Sequence, residues 1–458
     1  MQSSSDTARR RGAFQRGSLT GASPMRMYSG GEGVMGSPVS RPADRRVRQT
    51  HGVTRPAARP AARPVSRTAA KAQAAAKPKK TFKEKLQSLV WPQKFDFSFF
   101  LVVLILLTFG IIMLFSATYA SAKLTYGDSF YFLKRQLLFA VGGIGAMLLL
   151  SCIDYHIFFN KLILKIAIIG SASLMVLVRI IGSTVNGAER WIRVGEITIQ
   201  PSEILKFVTI LVIAEYMQRN YDKMKSFTKG FMPIMIRIGI ACGLVIMQPH
   251  LSATLIILVI SICMLFIGGA KGTHVALVLG AIAVGAIMIF TVFPMLGFDY
   301  VSARMLSLKD PEADIQGKTY QTYQSLIALG SGGFFGQGFG NSHQKYSYLP
   351  FAENDFIFSV IVEELGFVGA MVVILLFLIL IIRGFYIAAS APDKEGMLLC
   401  AGIVIQIGVQ AFLNIAVASN AFFNTGVSLP FLSYGGTALL MQLGEMGVVL
   451  NISRKATI

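Results

Sequence analysis

A chain of 458 residues with 53% hydrophobic and only 14% charged residues, at a mean hydropathy of +0.59, is not a soluble globular enzyme, because soluble domains carry about 25% charged residues. The composition fits an all-α polytopic membrane protein. The net charge of +20 is uneven: residues 1–96 hold 20 Lys or Arg against 5 Asp or Glu, and the remainder is near neutral.

Residues 1–80 are rich in Arg, Ala, Ser, Gly and Pro and lack apolar periodicity, the composition of a disordered basic cytoplasmic tail. The first 30 residues contain arginines and no apolar core, so no cleavable signal is expected. Such a tail suits anionic lipid, a protein partner, or a role in topology alone. Without aromatic interleaving or a folded motif, nucleic acid is not an expected partner. Residues 81–96 (TFKEKLQSLVWPQKFD) read as a juxtamembrane amphipathic segment anchored by Trp91.

A membrane-spanning helix needs about 20 predominantly apolar residues. Ten stretches approach that length: 97–117, 135–152, 162–181, 201–217, 231–247, 251–268, 275–293, 356–382, 396–417 and 431–451. Only the turn at Pro249 separates the fifth from the sixth, so nine is the other count. Lys and Arg in short loops set orientation. The tail, the 218–230 loop (Arg219, Lys223, Lys225, Lys229), Lys271, Lys394 and the Arg454/Lys455 end then share the cytoplasmic side. Segments 182–200 and 294–355 fall outside. The membrane domain is expected over 97–454, with 294–355 a large extracytoplasmic loop between the seventh and eighth helices. A loop of that length reads as functional, or as a lid.

The four cysteines (Cys152, Cys242, Cys263, Cys400) lie in or beside apolar spans without CxxC spacing, so neither a metal site nor a disulfide framework is expected.

Several polar groups stand out against this background. NGAERWIRVG (186–195) puts Arg190, Trp191 and Arg193 at the outer interface, as an aromatic belt or as contacts to a phosphate-bearing headgroup. IQPSEILKF starts the fourth span with Pro201, and Glu203 and Lys206 then share one helical face. Each alone in lipid would cost roughly 2.5–3.5 kcal/mol, so they read as a structural ion pair or as the wall of a polar cavity. His250, in QPHLSAT, is a lone histidine for which a structural role is the ordinary expectation. The run GSGGFFGQGFG (330–340) does not satisfy G-x-G-x-x-G and follows no strand. Its glycines suit a flexible turn or close approach of backbone to a phosphate. Gln406, Gln410 and Asn414 form a polar stripe, normally used for interhelical hydrogen bonds. Glu445 lies inside the last span and needs a partner.

LPFAENDFIFSVIVEELG (349–366) joins the long loop to the eighth span. Asp355 sits at its mouth, where water and a headgroup can meet. It reads as a helix N-cap or as a general base. Glu363 and Glu364 lie two turns deeper, better placed to hold the bundle.

These motifs, in this order, resemble the SEDS proteins (FtsW, RodA and SpoVE) over roughly 97–454. The likeness rests on NGAERWI, IQPSEILK, Tyr300 and Arg304 with DP at 310–311, YQTYQS, the glycine-rich run, DFIFSVIVEELG, Gln410 with Asn414, and TGVSLPFLSYGG. The long basic tail and the ending EMGVVLNISR are closer in character to FtsW and SpoVE than to RodA. Two positions depart: His250 stands where many members carry an acid, and Phe423 where many carry proline.

The resemblance implies ten spans and an inverting glycosyltransferase that polymerises lipid II, an undecaprenyl-diphosphate-linked disaccharide-peptide, on the outer face of the bacterial cytoplasmic membrane. It implies Asp355 as catalytic general base and Glu203, Lys206 and Ser202 as a supporting polar cavity. Expected substrate and diphosphate contacts are Arg190, Trp191, Arg193, Arg304, Gln321, Lys345, Gln410, Asn414 and Ser433. No cofactor is required by it, though a divalent cation (Mg or Mn) at the diphosphate is compatible. Expected partners are a class B penicillin-binding protein and other division-complex proteins, at the division septum. A lipid II flippase and a non-catalytic scaffold for a transpeptidase are the competing readings.

Overall fold

The computed structural model describes residues 96–456 apart from 186–187, 196, 249, 296–298 and 347. The basic tail and the Trp91 segment lie outside the described residues. Among the described residues are twelve α-helices: α1 (Phe97–Tyr126), α2 (Tyr131–Cys152), α3 (Lys161–Ile181), α4 (Pro201–Arg219), α5 (Met232–Ile246), α6 (Leu251–Ile267), α7 (Gly272–Met295), α8 (Asp299–Lys309), α9 (Tyr320–Ser331), α10 (Ile357–Ala389), α11 (Lys394–Ala418) and α12 (Gly436–Lys455).

Six helical stretches, covering α1, α2, α3, α5, α10 and α11, are long and apolar enough to cross a membrane, and α6 and α7 contribute shorter apolar helices. Helices α4 and α12 fall outside both groups. Away from their C-terminal ends, the charged residues they carry face inward: Glu203, Lys206 and Glu445 are all buried. The bundle is built around α11, whose most apolar window is 78% buried against 22% for α3. Where lipid surrounds a bundle, close packing replaces the hydrophobic effect as the force between helices, and small residues permit it. Gly447 of α12 lies so close to α2 that a Cβ there would stand 2.4 Å from the Met147 carbonyl oxygen.

One expectation is corrected by the structure. The chain is not all-α at segment 183–199. That segment is a three-stranded antiparallel sheet of β1 (Ser183–Val185), β2 (Ala188–Val194) and β3 (Ile197–Ile199), in that order. The long 294–355 segment carries α8 and α9, as expected of a stretch too long to be structureless.

The glycine-rich run also has a definite task. It lays backbone against backbone on α10. The Gln337 amide donates to the Glu363 carbonyl at 2.9 Å and the Gly338 amide to the Glu364 carbonyl at 3.0 Å. In return the Phe367 amide donates to the Gly333 carbonyl at 3.0 Å and the Val368 amide to the Phe334 carbonyl at 3.2 Å. This ladder crosses α10 where Gly366 leaves helical geometry, at φ 68 and ψ −164. The freed amides and carbonyls of the interrupted helix are thereby satisfied.

Candidate active site

Asp355 ends a tight turn just before α10. The Asn354 and Asp355 amides both donate to the Phe351 carbonyl, at 3.0 and 3.2 Å, and Phe351 itself sits at φ 56. A bulky residue there is strained and needs support from its surroundings. That support is a row of three carbonyls held from outside the turn. The Tyr434 amide donates to the Glu353 carbonyl at 2.8 Å. The Ser433 hydroxyl donates to the Asn354 carbonyl at 2.5 Å. The Asn414 side-chain amide donates to the Asp355 carbonyl at 2.8 Å and to the Val427 carbonyl at 2.7 Å. Helix α11 and the 424–436 loop therefore fix the backbone of the acid. Gly426, at φ 66, leaves room for its carboxylate: a Cβ there would lie 3.4 Å from Oδ2.

The carboxylate is half-buried. Burial pushes the Asp355 carboxyl up to about 6, opposed by Arg304, increased by Glu353 and opposed by Arg190. Burial likewise raises Glu353 above the usual carboxylate range. An acid held near 6 is a competent general base at neutral pH.

Three cations converge around this acid and its neighbour His250. Arg190 and Arg304 act on both. Lys206 acts on His250. Arg304 reaches the site from α8, its guanidinium donating to the Asn424 carbonyl. The Asn424 side-chain amide donates in turn to Gln321 Oε1 on α9, at 3.2 Å. The two helices inside 294–355 thus deliver Arg304 and Gln321 to the loop that borders Asp355. Strand β2 separates its basic residues by period-two alternation: Arg190 is half-buried with buried Ile192, whereas Arg193 is exposed and Trp191 lies on its side of the strand.

His250, for which a structural role is the ordinary expectation, is brought into the same group of cations. It precedes α6, only 4% exposed. Burial, then Arg190, Lys206 and Arg304, hold its imidazole down to about 3, so it is neutral at working pH. Its Nδ1 is buried with no hydrogen-bond partner among the described residues, as are Ser202 Oγ and Thr425 Oγ1. The departure from an acid at this position was the available signal. Its meaning depended on three cations contributed by β2, α4 and α8.

Behind the site, Lys206 Nζ lies 2.8 Å from Glu203 Oε2, inside the bundle. Glu445 of α12 is within electrostatic reach of both. Its carboxylate accepts from Gln406 Nε2 at 3.0 and 2.8 Å. Gln410, on the same face of α11 as Gln406 and Asn414, is buried with Oε1 unpartnered among the described residues.

Lys345 differs from its expected role as a diphosphate contact. Its ammonium is buried, 3.1 Å from Glu364 Oε1, and also donates to the Gly340 carbonyl. Glu364 further accepts from Ser116 at 2.7 Å, so the ion pair ties α1, α10 and the 340–345 segment together. Glu363 similarly caps the 342–344 turn, accepting from the His343 amide at 2.9 Å. Glu364 thus links helices, as its depth suggested, whereas Glu363 fastens the 342–344 turn to α10.

Comparison with known proteins agrees with this architecture. The family model for FtsW, RodA and SpoVE, described as cell cycle proteins, matches residues 96–458. A probable peptidoglycan glycosyltransferase FtsW of Trichlorobacter lovleyi is 40% identical over 361 residues, covering 79% of this chain and 93% of that protein. Stage V sporulation protein E of Bacillus subtilis is 39% identical, covering 78% and 97%. A chain in a solved peptidoglycan synthase complex that coordinates polymerization and crosslinking superposes with a TM-score of 0.63 at 26% identity, covering 79% and 98%. The rod shape determining protein RodA of Thermus thermophilus shares the fold, with a TM-score of 0.55 at 24% identity over 80% and 98% of the chains. By sequence over its whole helical domain, this chain belongs to the FtsW/RodA/SpoVE family.

Proposed function

We propose that this protein is a peptidoglycan glycosyltransferase that polymerises lipid II, with Asp355 as general base. The names of the relatives support the activity. The observation that carries the residue assignment is the site itself: a strained, externally braced turn holds one carboxyl, pushed up to about 6, within reach of Arg304 and Arg190.

Asp355 takes the proton from the 4-hydroxyl of the acceptor N-acetylglucosamine. The oxygen attacks C1 of the donor N-acetylmuramic acid, the bond from C1 to the phosphate oxygen breaks, and undecaprenyl diphosphate leaves. One displacement inverts the α-linkage to β. Arg190, Arg304 and Lys206 stabilise the charge that develops on the leaving diphosphate. Neutral His250 and Ser202 offer hydrogen bonds without adding charge. As for a divalent cation at the diphosphate, the described His, Cys, Asp and Glu group suited to an ion is His156, Asp393 and Glu395, which excludes Asp355. A divalent ion held by the diphosphate oxygens with a single carboxylate needs no such cluster and stays compatible with the three cations.

Ten crossings with both termini cytoplasmic place the Asp355 turn on the outer face. Lys and Arg in the short loops support that orientation. The solved synthase complex supports a class B penicillin-binding protein as partner, and the FtsW relatives support work at the division septum.

The test is to supply lipid II to the purified protein with its transpeptidase partner. Glycan strands are expected. Transfer of intact lipid II across a vesicle membrane without polymer would instead favour a flippase, for which the buried Glu203–Lys206–Glu445 group offers a path.

A further inference from the structure

On one side of the bundle α3, α4 and α5 border a cavity of about 230 Å³. Ile168, Leu205, Val212, Ile238 and Leu244 supply most of its wall. The two hydroxyls in the lining are already bonded to their own helices, Ser171 to the Ile168 carbonyl at 3.1 Å and Thr209 to the Leu205 carbonyl at 2.7 Å. Apart from Arg237 the wall offers no free polar group, so it is poorly suited to ordered water. Exposed Ile240 marks its opening toward lipid.

One cation belongs to this otherwise apolar wall. Arg237, on α5, is exposed, and its guanidinium lies 4.3 Å from the centre of the Tyr216 ring. Among the described residues it has no carboxylate partner. An arginine on a lipid-facing helix is expensive unless an anion meets it. The ring of Tyr216 also brings the basic loop alongside, because its hydroxyl donates to the Gly230 carbonyl at 3.0 Å and the Lys229 carbonyl at 3.3 Å. Exposed Lys223, Lys225 and Lys229 belong to that same loop.

We infer that the α3/α4/α5 cavity is a site for an anionic phospholipid, one acyl chain seated in the cavity and the phosphate held by Arg237 beside the basic 221–229 loop. The apolar wall fits a chain, and the cations fit a headgroup of net negative charge. Helix α4 shows Leu205, Val208 and Val212 to this lipid and carries Glu203 and Lys206 of the catalytic pocket. A seated lipid therefore braces the helix from behind. The inference needs only a membrane-embedded bundle and stands apart from the identity of the reaction.

The test is native mass spectrometry of the detergent-purified full chain, titrated with dioleoyl phosphatidylglycerol and dioleoyl phosphatidylcholine. The wild type is expected to retain one phosphatidylglycerol in preference to phosphatidylcholine. Arg237→Gln is expected to lose about fivefold of that preference, the equivalent of one cation at a membrane surface, while Arg237→Lys keeps it. Ala172→Phe, which fills the cavity, is expected to lower retention of both lipids. Equal retention of the two lipids by the wild type overturns the inference without recourse to a variant. So does unchanged retention in Ala172→Phe. If that variant instead loses the transpeptidase partner with lipid retention intact, the cavity receives a protein helix and the inference is wrong.

Discussion

The side-chain amide of Asn414 donates to the backbone carbonyl of Asp355 at 2.8 Å, and with its other hydrogen to the Val427 carbonyl at 2.7 Å. One fully buried residue on the central helix thus joins the Asp355 turn to the loop that faces it. Asn414→Leu would leave two carbonyls unsatisfied, at about 1–3 kcal/mol each. We expect a lower melting temperature and a kcat loss larger than the change in KM, since the acid is misplaced and the cations remain. Asn414→Asp should be worse, because a carboxylate cannot donate to either carbonyl. Steady-state polymerisation at several lipid II concentrations separates the two parameters, and wild-type kcat in the Leu variant would contradict the bracing role.

The pH profile follows from the direction of the Asp355 shift. A general base works only when deprotonated, and this carboxyl is pushed up to about 6. The rate is expected to fall about tenfold per pH unit below 6 and to level off above it. His250, held down to about 3, should add no second limb in that range. Arg304 opposes the rise at Asp355, so Arg304→Gln should move the limb to higher pH. Stability runs the other way. A carboxyl whose folded pKa is raised stabilises the fold below its unfolded value and loses that contribution as pH climbs through about 6. Asp355→Asn is therefore expected to raise the melting temperature at pH 8 and not at pH 4, a trade of stability for function.

The buried ion group should respond unequally to its members. Lys206 is the cation that serves both Glu203 and Glu445. Lys206→Met leaves two buried acids without their counter-ion, a loss on the order of 3–5 kcal/mol. Glu203→Gln removes one acid and keeps Glu445 for Lys206, so it should cost less. Thermal unfolding in detergent ranks the two. The reverse order would place the principal partner of Lys206 elsewhere.

Gly366 is expected to tolerate no side chain. Its φ of 68 with ψ of −164 is accessible essentially to glycine alone. A Cβ would stand 2.3 Å from the Gly336 amide nitrogen and 2.5 Å from the Phe334 carbonyl oxygen. Neither atom is the end of a flexible side chain, so the glycine-rich strap must detach from α10. Membrane accumulation of Gly366→Ala is expected to collapse, whereas Gly330→Ala, which has open space around its Cβ, should accumulate normally.

Helix positions were largely legible because hydropathy reports lipid exposure directly. The stretch 251–268 is observed as Leu251–Ile267, and 162–181 as Lys161–Ile181. Hydropathy cannot see a helix that continues past the apolar run, which is why α1 extends to Tyr126 and α10 to Ala389. The sheet was missed because its longest strand, AERWIRV, mixes charges with a tryptophan as an interfacial belt also does. Asp355 could be singled out by its place at a helix mouth. Its bracing could not, since Asn414, Ser433 and Tyr434 meet it only after the fold forms. The same holds for Lys345, whose partner Glu364 lies 19 residues away across a turn and a helix start. By sequence the glycines of 330–340 suit a flexible turn or the approach of backbone to a phosphate, and the group they lie against is the backbone of α10.

The central claim is that the Asp355 carboxylate takes the acceptor proton. The most direct measurement is glycan polymerisation by purified wild type and Asp355→Asn, each with the partner transpeptidase and lipid II, after confirming that both variants fold and bind that partner. Asparagine keeps the size and the braced backbone but cannot act as the base. The account predicts glycan strands from the wild type and none from Asp355→Asn at any pH between 5 and 8. Strands from Asp355→Asn at the wild-type rate would contradict it.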